Sequence, residues 1–200
     1  MSDHLRYSGR PFEAQREALV AMIRAEPVLM EVLEGIAELP EGLLVAGALY
    51  NMVWNRLTGR PGLADVADID VFYFDPCDLS YEAEDAVIRR LEARFAHLPL
   101  PVQARNQARV HLWFEGKFGA PFTPLGSAAE MLGRYASKTH AVGAWLADGE
   151  VEVVTPFGLD DVFSFRVVPN YALNNRATHE KKAARLLAIW PEVTVVRWQE

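Results

Sequence analysis

The stretch Leu43–Phe74, LLVAGALYNMVWNRLTGRPGLADVADIDVFYF, decides the fold. Gly42 to Gly47 is a short, continuous apolar run ended by glycine, which reads as a buried strand. Ala48 to Leu57 switches to helical spacing, with Leu49, Met52, Val53 and Trp54 as its apolar members. Thr58-Gly-Arg-Pro-Gly62 breaks that helix. Asp68-Ile-Asp-Val-Phe-Tyr-Phe74 follows, a β-branched and aromatic run bounded by Asp75-Pro76, and it is the clearest strand in the chain.

The chemistry follows from this unit. A strand has period two, so Asp68 and Asp70 point to one face. Two adjacent carboxylates repel unless something positive sits between them. A divalent ion with an oxygen preference is the simplest occupant, Mg²⁺ first and Mn²⁺ as the alternative. Gly47 lets a backbone come close to a ligand. The helix beginning at Ala48 aims its N-terminal amides and positive dipole end at the same space, which suits a triphosphate. Asp-x-Asp pairs also arise by chance in loops. Here the strand continues as Val71-Phe-Tyr-Phe74, so the acids stand at the edge of a core.

Working outward, Pro11 to Glu26 and a second helix opened by Pro27 and closed before Pro40 predict a helical N-terminal hairpin over about 11–40. Ser80 caps a long helix to about His97. Val102 to Arg105 reads as a short strand, Asn106 to Phe114 as helical, and Ser127 to Arg134 as a short helix. Thr139 to Leu146 and Glu150 to Val154 form a hairpin about Asp148-Gly149, a pair that tolerates positive φ at both positions. A short helix around Leu159–Phe163, a strand at Phe165 to Val168, a helix at Ala177 to Trp190 and an edge strand at Val193 to Trp198 complete the chain. No repeat or long linker divides it, so 1–200 reads as a single α+β domain: a small, mixed, twisted β-sheet flanked by helices.

Composition narrows the function. With 200 residues, half of them hydrophobic, there is ample material for a core. A formal net charge of −7 argues against long nucleic acids as partners, because duplex affinity comes largely from neutralised phosphates. The single cysteine, Cys77, forms no internal disulfide, and no apolar run approaches the roughly 20 residues that span a membrane. These features predict a cytoplasmic location with no membrane partner. Oligomeric state is not legible. There is no Gly-x-Ser-x-Gly elbow, no Walker loop and no Gly-x-Gly-x-x-Gly after a strand.

Five ordered stretches carry a resemblance: Ala46-Gly-Ala-Leu-Tyr-Asn-Met-Val-Trp54, Asp68-Ile-Asp-Val-Phe-Tyr-Phe-Asp75, Asn106-Gln-Ala-Arg-Val-His-Leu-Trp113, Thr155-Pro-Phe-Gly-Leu-Asp-Asp-Val-Phe163 and Val168-Pro-Asn170, with Lys182 and Trp190-Pro191 beyond them. The chain resembles bacterial nucleotidyltransferase family proteins within the DNA polymerase beta-like superfamily. That resemblance implies the nucleotidyltransferase fold and transfer of a nucleoside monophosphate from a nucleoside triphosphate to an acceptor that the sequence does not name. It implies that Gly47 and Ala48 form the phosphate-facing turn, that Asp68 and Asp70 hold one or two Mg²⁺ ions, and that Asn106 and Lys182 contact the nucleotide.

Two departures matter. Ala48 brings no hydroxyl to the turn. The strand expected to carry a third carboxylate, Pro101-Val-Gln-Ala-Arg105, has none; Gln103 can coordinate through its amide oxygen, and Asp160 or Asp161 are the acids that could substitute. The alternative function is therefore a catalytically inactive nucleotide-binding or protein-interaction module. Gln107 and His111, four apart on a helix, either line the nucleotide pocket or brace the core. Arg56 and Arg60 either steer a triphosphate or stay solvated, and the tryptophans default to the core.

Overall fold

The computed structural model describes residues 3–199. Seven helices of α type are found among them: α1 (Phe12–Arg24), α2 (Pro27–Ile36), α3 (Gly47–Leu57), α4 (Tyr81–Arg94), α5 (Val110–Phe118), α6 (Asp160–Phe163) and α7 (Arg176–Ile189). The strands are β1 (Leu43–Val45), β2 (Ile69–Tyr73), β3 (Val102–Asn106), β4 (Gly143–Ala147), β5 (Glu150–Val154), β6 (Arg166–Val167) and β7 (Thr194–Val195).

Five strands form one mixed sheet in the order β3-β2-β1-β4-β5. β2 runs parallel to β3, reached through α4, and the other neighbours are antiparallel. Mixing is forced by connection length: β4 and β5 are joined by a two-residue turn, whereas a parallel pair needs a crossover. Asp148 and Gly149 both take positive φ, 51° and 80°, as the hairpin expectation required. The α+β architecture read from the sequence is the one observed.

Local chemistry and buried apolar residues fix the helices that frame the sheet. Ser80 accepts the Ala83 N–H at 3.2 Å and caps α4. Pro27 opens α2, whose Leu29, Val32, Leu33 and Ile36 are buried. Gly35 of α2 meets Phe95, where a β-carbon would come within 2.3 Å of the ring, so only glycine lets the chain after α4 sit this close. The N-terminal hairpin is part of the same core: Leu19 and Ile23 of α1 pack in one continuous cluster with Leu44, Trp54, Val71 and Trp190. Ion pairs from Arg16 to Glu152, 2.6 Å, and from Arg24 to Glu150 tie α1 to the edge strand β5.

Three expectations change. The first strand of the hairpin begins at Gly143, not Thr139, because the Thr139 hydroxyl donates to the Arg166 carbonyl and accepts the Val168 N–H, holding 138–140 in a 3₁₀ turn. The short helix read over Ser127–Arg134 narrows to a 3₁₀ helix over Ala129–Arg134. The final strand, β7, joins β6 in a separate two-stranded parallel sheet instead of edging the main one.

Candidate functional site

Asp70 faces Val45 across the β1–β2 pair and Gln103 across the β2–β3 pair. Inward-facing Ile69, Val71 and Tyr73 alternate with Asp70 and Phe72, so the acid pair is displayed on the opposite face from the core-packed residues. Beside it, β1 ends at Ala46, which adopts φ 56° and ψ −112°, a conformation natural to glycine and strained for alanine. That bend turns the chain at once into α3. The Ala46 carbonyl accepts the Leu49 and Tyr50 N–H groups, so Gly47 and Ala48 carry the leading amides of the helix. A β-carbon at Gly47 would meet only the Asn51 amide nitrogen, 3.9 Å away, which leaves the approach open.

These parts enclose one cavity of about 230 Å³, lined by Gly47, Tyr50, Asn51, Asp68, Asp70, Lys182 and Arg185 among others. Asn51 is only 5% exposed, yet its amide oxygen has no partner among the described residues. An orphaned buried acceptor on an acid-lined cavity is suited to a cation or a hydroxyl. Burial, and then the charge of Asp68, raises the pKa of Asp70, while Lys182 and Arg105 pull it down. Burial lowers the pKa of Lys182, with Asp70 opposing that shift, even though part of the side chain stays open to solvent. Tyr50 is raised, mainly by burial, and so is Tyr135, whose ring lies 6.0 Å from the Lys182 ammonium. Behind Tyr50, at 4.7 Å between ring centroids, stacks a buried His140 with its pKa held well below the usual value by burial.

The sequence-derived residues fall into two groups. Asp68, Asp70, Gly47 and Lys182 meet at this cavity. The Ala48 side chain is fully buried, so only its backbone faces the turn. Asn106 lies at the other end of β3 from Gln103. Its amide accepts the Asp75 and Ala108 N–H groups and donates to the Asp75 carbonyl, so it splices β3 to the turn after β2. Gln107 donates to the Arg105 carbonyl, and neither it nor His111 lines the cavity.

Arg56 binds the Ala25 carbonyl and Glu26, and Arg60 binds the Ile189 carbonyl, both toward the far end of α3 from Gly47. Asp160 accepts from the Gly9 amide and Gln15, and Asp161 pairs with Arg166 at 3.6 Å, so neither replaces a third acid. Gln103 does not turn its oxygen to a metal. Its amide nitrogen donates to Asp68 Oδ2 at 2.9 Å. Among the described residues no three His, Cys, Asp or Glu side chains cluster as a metal site.

Sequence reasoning missed Tyr50, Asn51 and Arg185 as cavity residues. The signal was present: Asn51 is four residues after Gly47 and Arg185 three after Lys182, one helical turn in each case.

No curated protein sequence matches the chain. A solution structure described as revealing a CCA-adding enzyme head domain shares its fold, with a TM-score of 0.75 and 24% identity over 91% of this chain and 96% of that one. The profile of a family described as Nucleotidyltransferase matches residues 35–195, from the end of α2 through β7 and including every cavity residue. The chain belongs to that nucleotidyltransferase family.

Proposed function

We propose that the cavity binds the triphosphate of a nucleoside triphosphate with Mg²⁺ and that the protein transfers the nucleoside monophosphate to an acceptor hydroxyl. One observation carries this reading: the acid pair, the start of α3, Asn51 and Lys182 line a single cavity.

The residues present fit a hard cation, since the carboxylates of Asp68 and Asp70 and the amide oxygen of Asn51 are oxygen ligands. When bound, such an ion neutralises charge that develops on the transferring phosphoryl group. The leading amides of α3 receive phosphate oxygens, helped by the positive end of the helix. Lys182 and Arg185 add positive charge from α7. At about 230 Å³ the cavity is smaller than the roughly 300–1,000 Å³ of pockets that engulf whole small ligands. It therefore encloses the triphosphate and leaves sugar and base at its mouth, which favours weak base selectivity. In the transfer, the acceptor oxygen bonds to the α-phosphorus, the bond to the α–β bridging oxygen breaks, pyrophosphate departs, and the hydroxyl proton passes to water.

A second reading is favoured by Gln103, which occupies the strand position opposite Asp70 where a third carboxylate is expected. In that reading the protein binds nucleotide without turnover. Pyrophosphate release measured with each of the four triphosphates and a metabolite pool separates the two. Release that Asp70→Asn abolishes supports transfer. Tight binding with no release from any acceptor supports the second reading.

A further inference from the structure

We propose that this site holds a single divalent cation per chain, with Asp68, Asp70 and Asn51 as its protein ligands, and that the Lys182 ammonium supplies the positive charge a second cation would bring. This rests on the reading above that the acid pair binds metal.

Two ions a few ångströms apart need shared carboxylates and separate terminal ligands. The cavity presents only two carboxylates. One of their four oxygens, Asp68 Oδ2, already accepts a hydrogen bond from Gln103, so the side of the pair nearest β3 is closed by a donor rather than extended by a ligand. Gln103 and Arg105 are the two exposed side chains of β3; Gln103 donates to Asp68, and the charge of Arg105 acts on Asp70. A second cation on that side would meet donors and the positive charge of Arg105.

Asn51, on α3, stands 5% exposed, with an amide oxygen that has no partner among the described residues. A buried amide oxygen left unpaired is costly to the fold, and a ligand that pairs with it recovers that cost. One ion bound by Asp68, Asp70 and Asn51 completes the protein's oxygen donors on the cavity side. Lys182, which shares the cavity and whose field acts on both acids, then carries the remaining positive charge toward the phosphates.

The test counts Mn²⁺, used alone, by the loss of the free-ion paramagnetic resonance signal and by calorimetry, with folding of each variant checked by circular dichroism. The expected count is one per wild-type chain. Asn51→Ala weakens binding by about tenfold or more, the scale at which even outer partners of a metal act, and Asn51→Asp restores or tightens it. Lys182→Met tightens Mn²⁺ binding several-fold, because a repelling charge is gone. Gln103→Asp, at an exposed position, raises the count to two by adding the absent carboxylate. Two ions bound to the wild type, or unchanged affinity in a folded Asn51→Ala, overturns the single-ion assignment while leaving the metal-binding reading in place. No Mn²⁺ bound to the wild type overturns both.

Discussion

At the scale of single residues, the site is built at the expense of stability. Ala46 holds a backbone conformation whose strain costs roughly 1–3 kcal/mol in a residue other than glycine. Ala46→Gly removes the strain but adds freedom to the unfolded chain and loses a buried methyl, so the net gain is about 1 kcal/mol, read as a melting temperature higher by roughly 2–4 °C. Asp70 is a second case. Burial and Asp68 raise its folded pKa, so the folded state holds the proton more tightly than the unfolded chain does. The contribution to stability is fully present below the ordinary carboxylate range and is lost as pH rises through the raised value. At neutral pH the ionised side chain is a liability in the metal-free protein. Asp70→Asn is therefore expected to melt higher than wild type at pH 7 without metal, a difference that narrows toward pH 4. A lower melting temperature at pH 7 would contradict this. That Asp68, Asp70, Gly47 and Lys182 come together at one cavity was legible because strand period, turn chemistry and family pattern are local. The Gln103–Asp68 bond was not, since it depends on the register of two strands separated by α4. Asn106 misled because a run rich in polar groups looks alike whether it lines a pocket or splices two elements.

At the scale of elements, α3 is the beam on which the site rests. Its first turn faces the cavity. Its last turns bury Trp54, whose indole N–H donates to the Val162 carbonyl at 2.7 Å and whose ring meets Trp190 edge-on at 5.3 Å. Trp190 in turn donates to Asn55 at 3.1 Å. This chain of contacts joins α3 to α6 and to the end of α7, the helix that carries Lys182. Trp54→Phe removes one of the two hydrogen bonds that the Val162 carbonyl accepts, the other coming from the Phe165 N–H, and leaves a gap where the indole packed; it is expected to destabilise the fold by about 2 kcal/mol, measured by urea denaturation. If the chain of contacts also sets the position of Lys182, triphosphate affinity falls in the still-folded variant; unchanged affinity would show that α7 is held by other contacts. The helices and the β1–α3–β2 unit were readable from apolar spacing. The short strand β7 was readable as a strand but not its partner, because a two-residue strand carries no periodic signal to choose a sheet.

At the scale of the molecule, a single continuous cluster links α1 and α2 to the main sheet and to α7. The family match begins only at residue 35, yet the helices before it contribute Leu19, Ile23, Leu29 and Leu33 to that cluster. The chain is therefore expected to unfold in one cooperative transition, with far-ultraviolet and tryptophan signals superimposing; two separated transitions would make the hairpin an independent unit. The same scale frames electrostatics. A chain of net charge −7 gathers Lys182 and Arg185 about a cavity that also holds two acids, so affinity for a free triphosphate should fall steeply without a divalent ion to neutralise Asp68 and Asp70. The measurement that reaches the central claim most directly is calorimetric titration of ATP, CTP, GTP and UTP, with and without Mg²⁺, into the wild type and an Asp68→Asn/Asp70→Asn double variant. Binding of triphosphate that requires Mg²⁺ and disappears in the double variant is the predicted result. Binding that survives in the variant, or no binding of any triphosphate to the wild type, would contradict it.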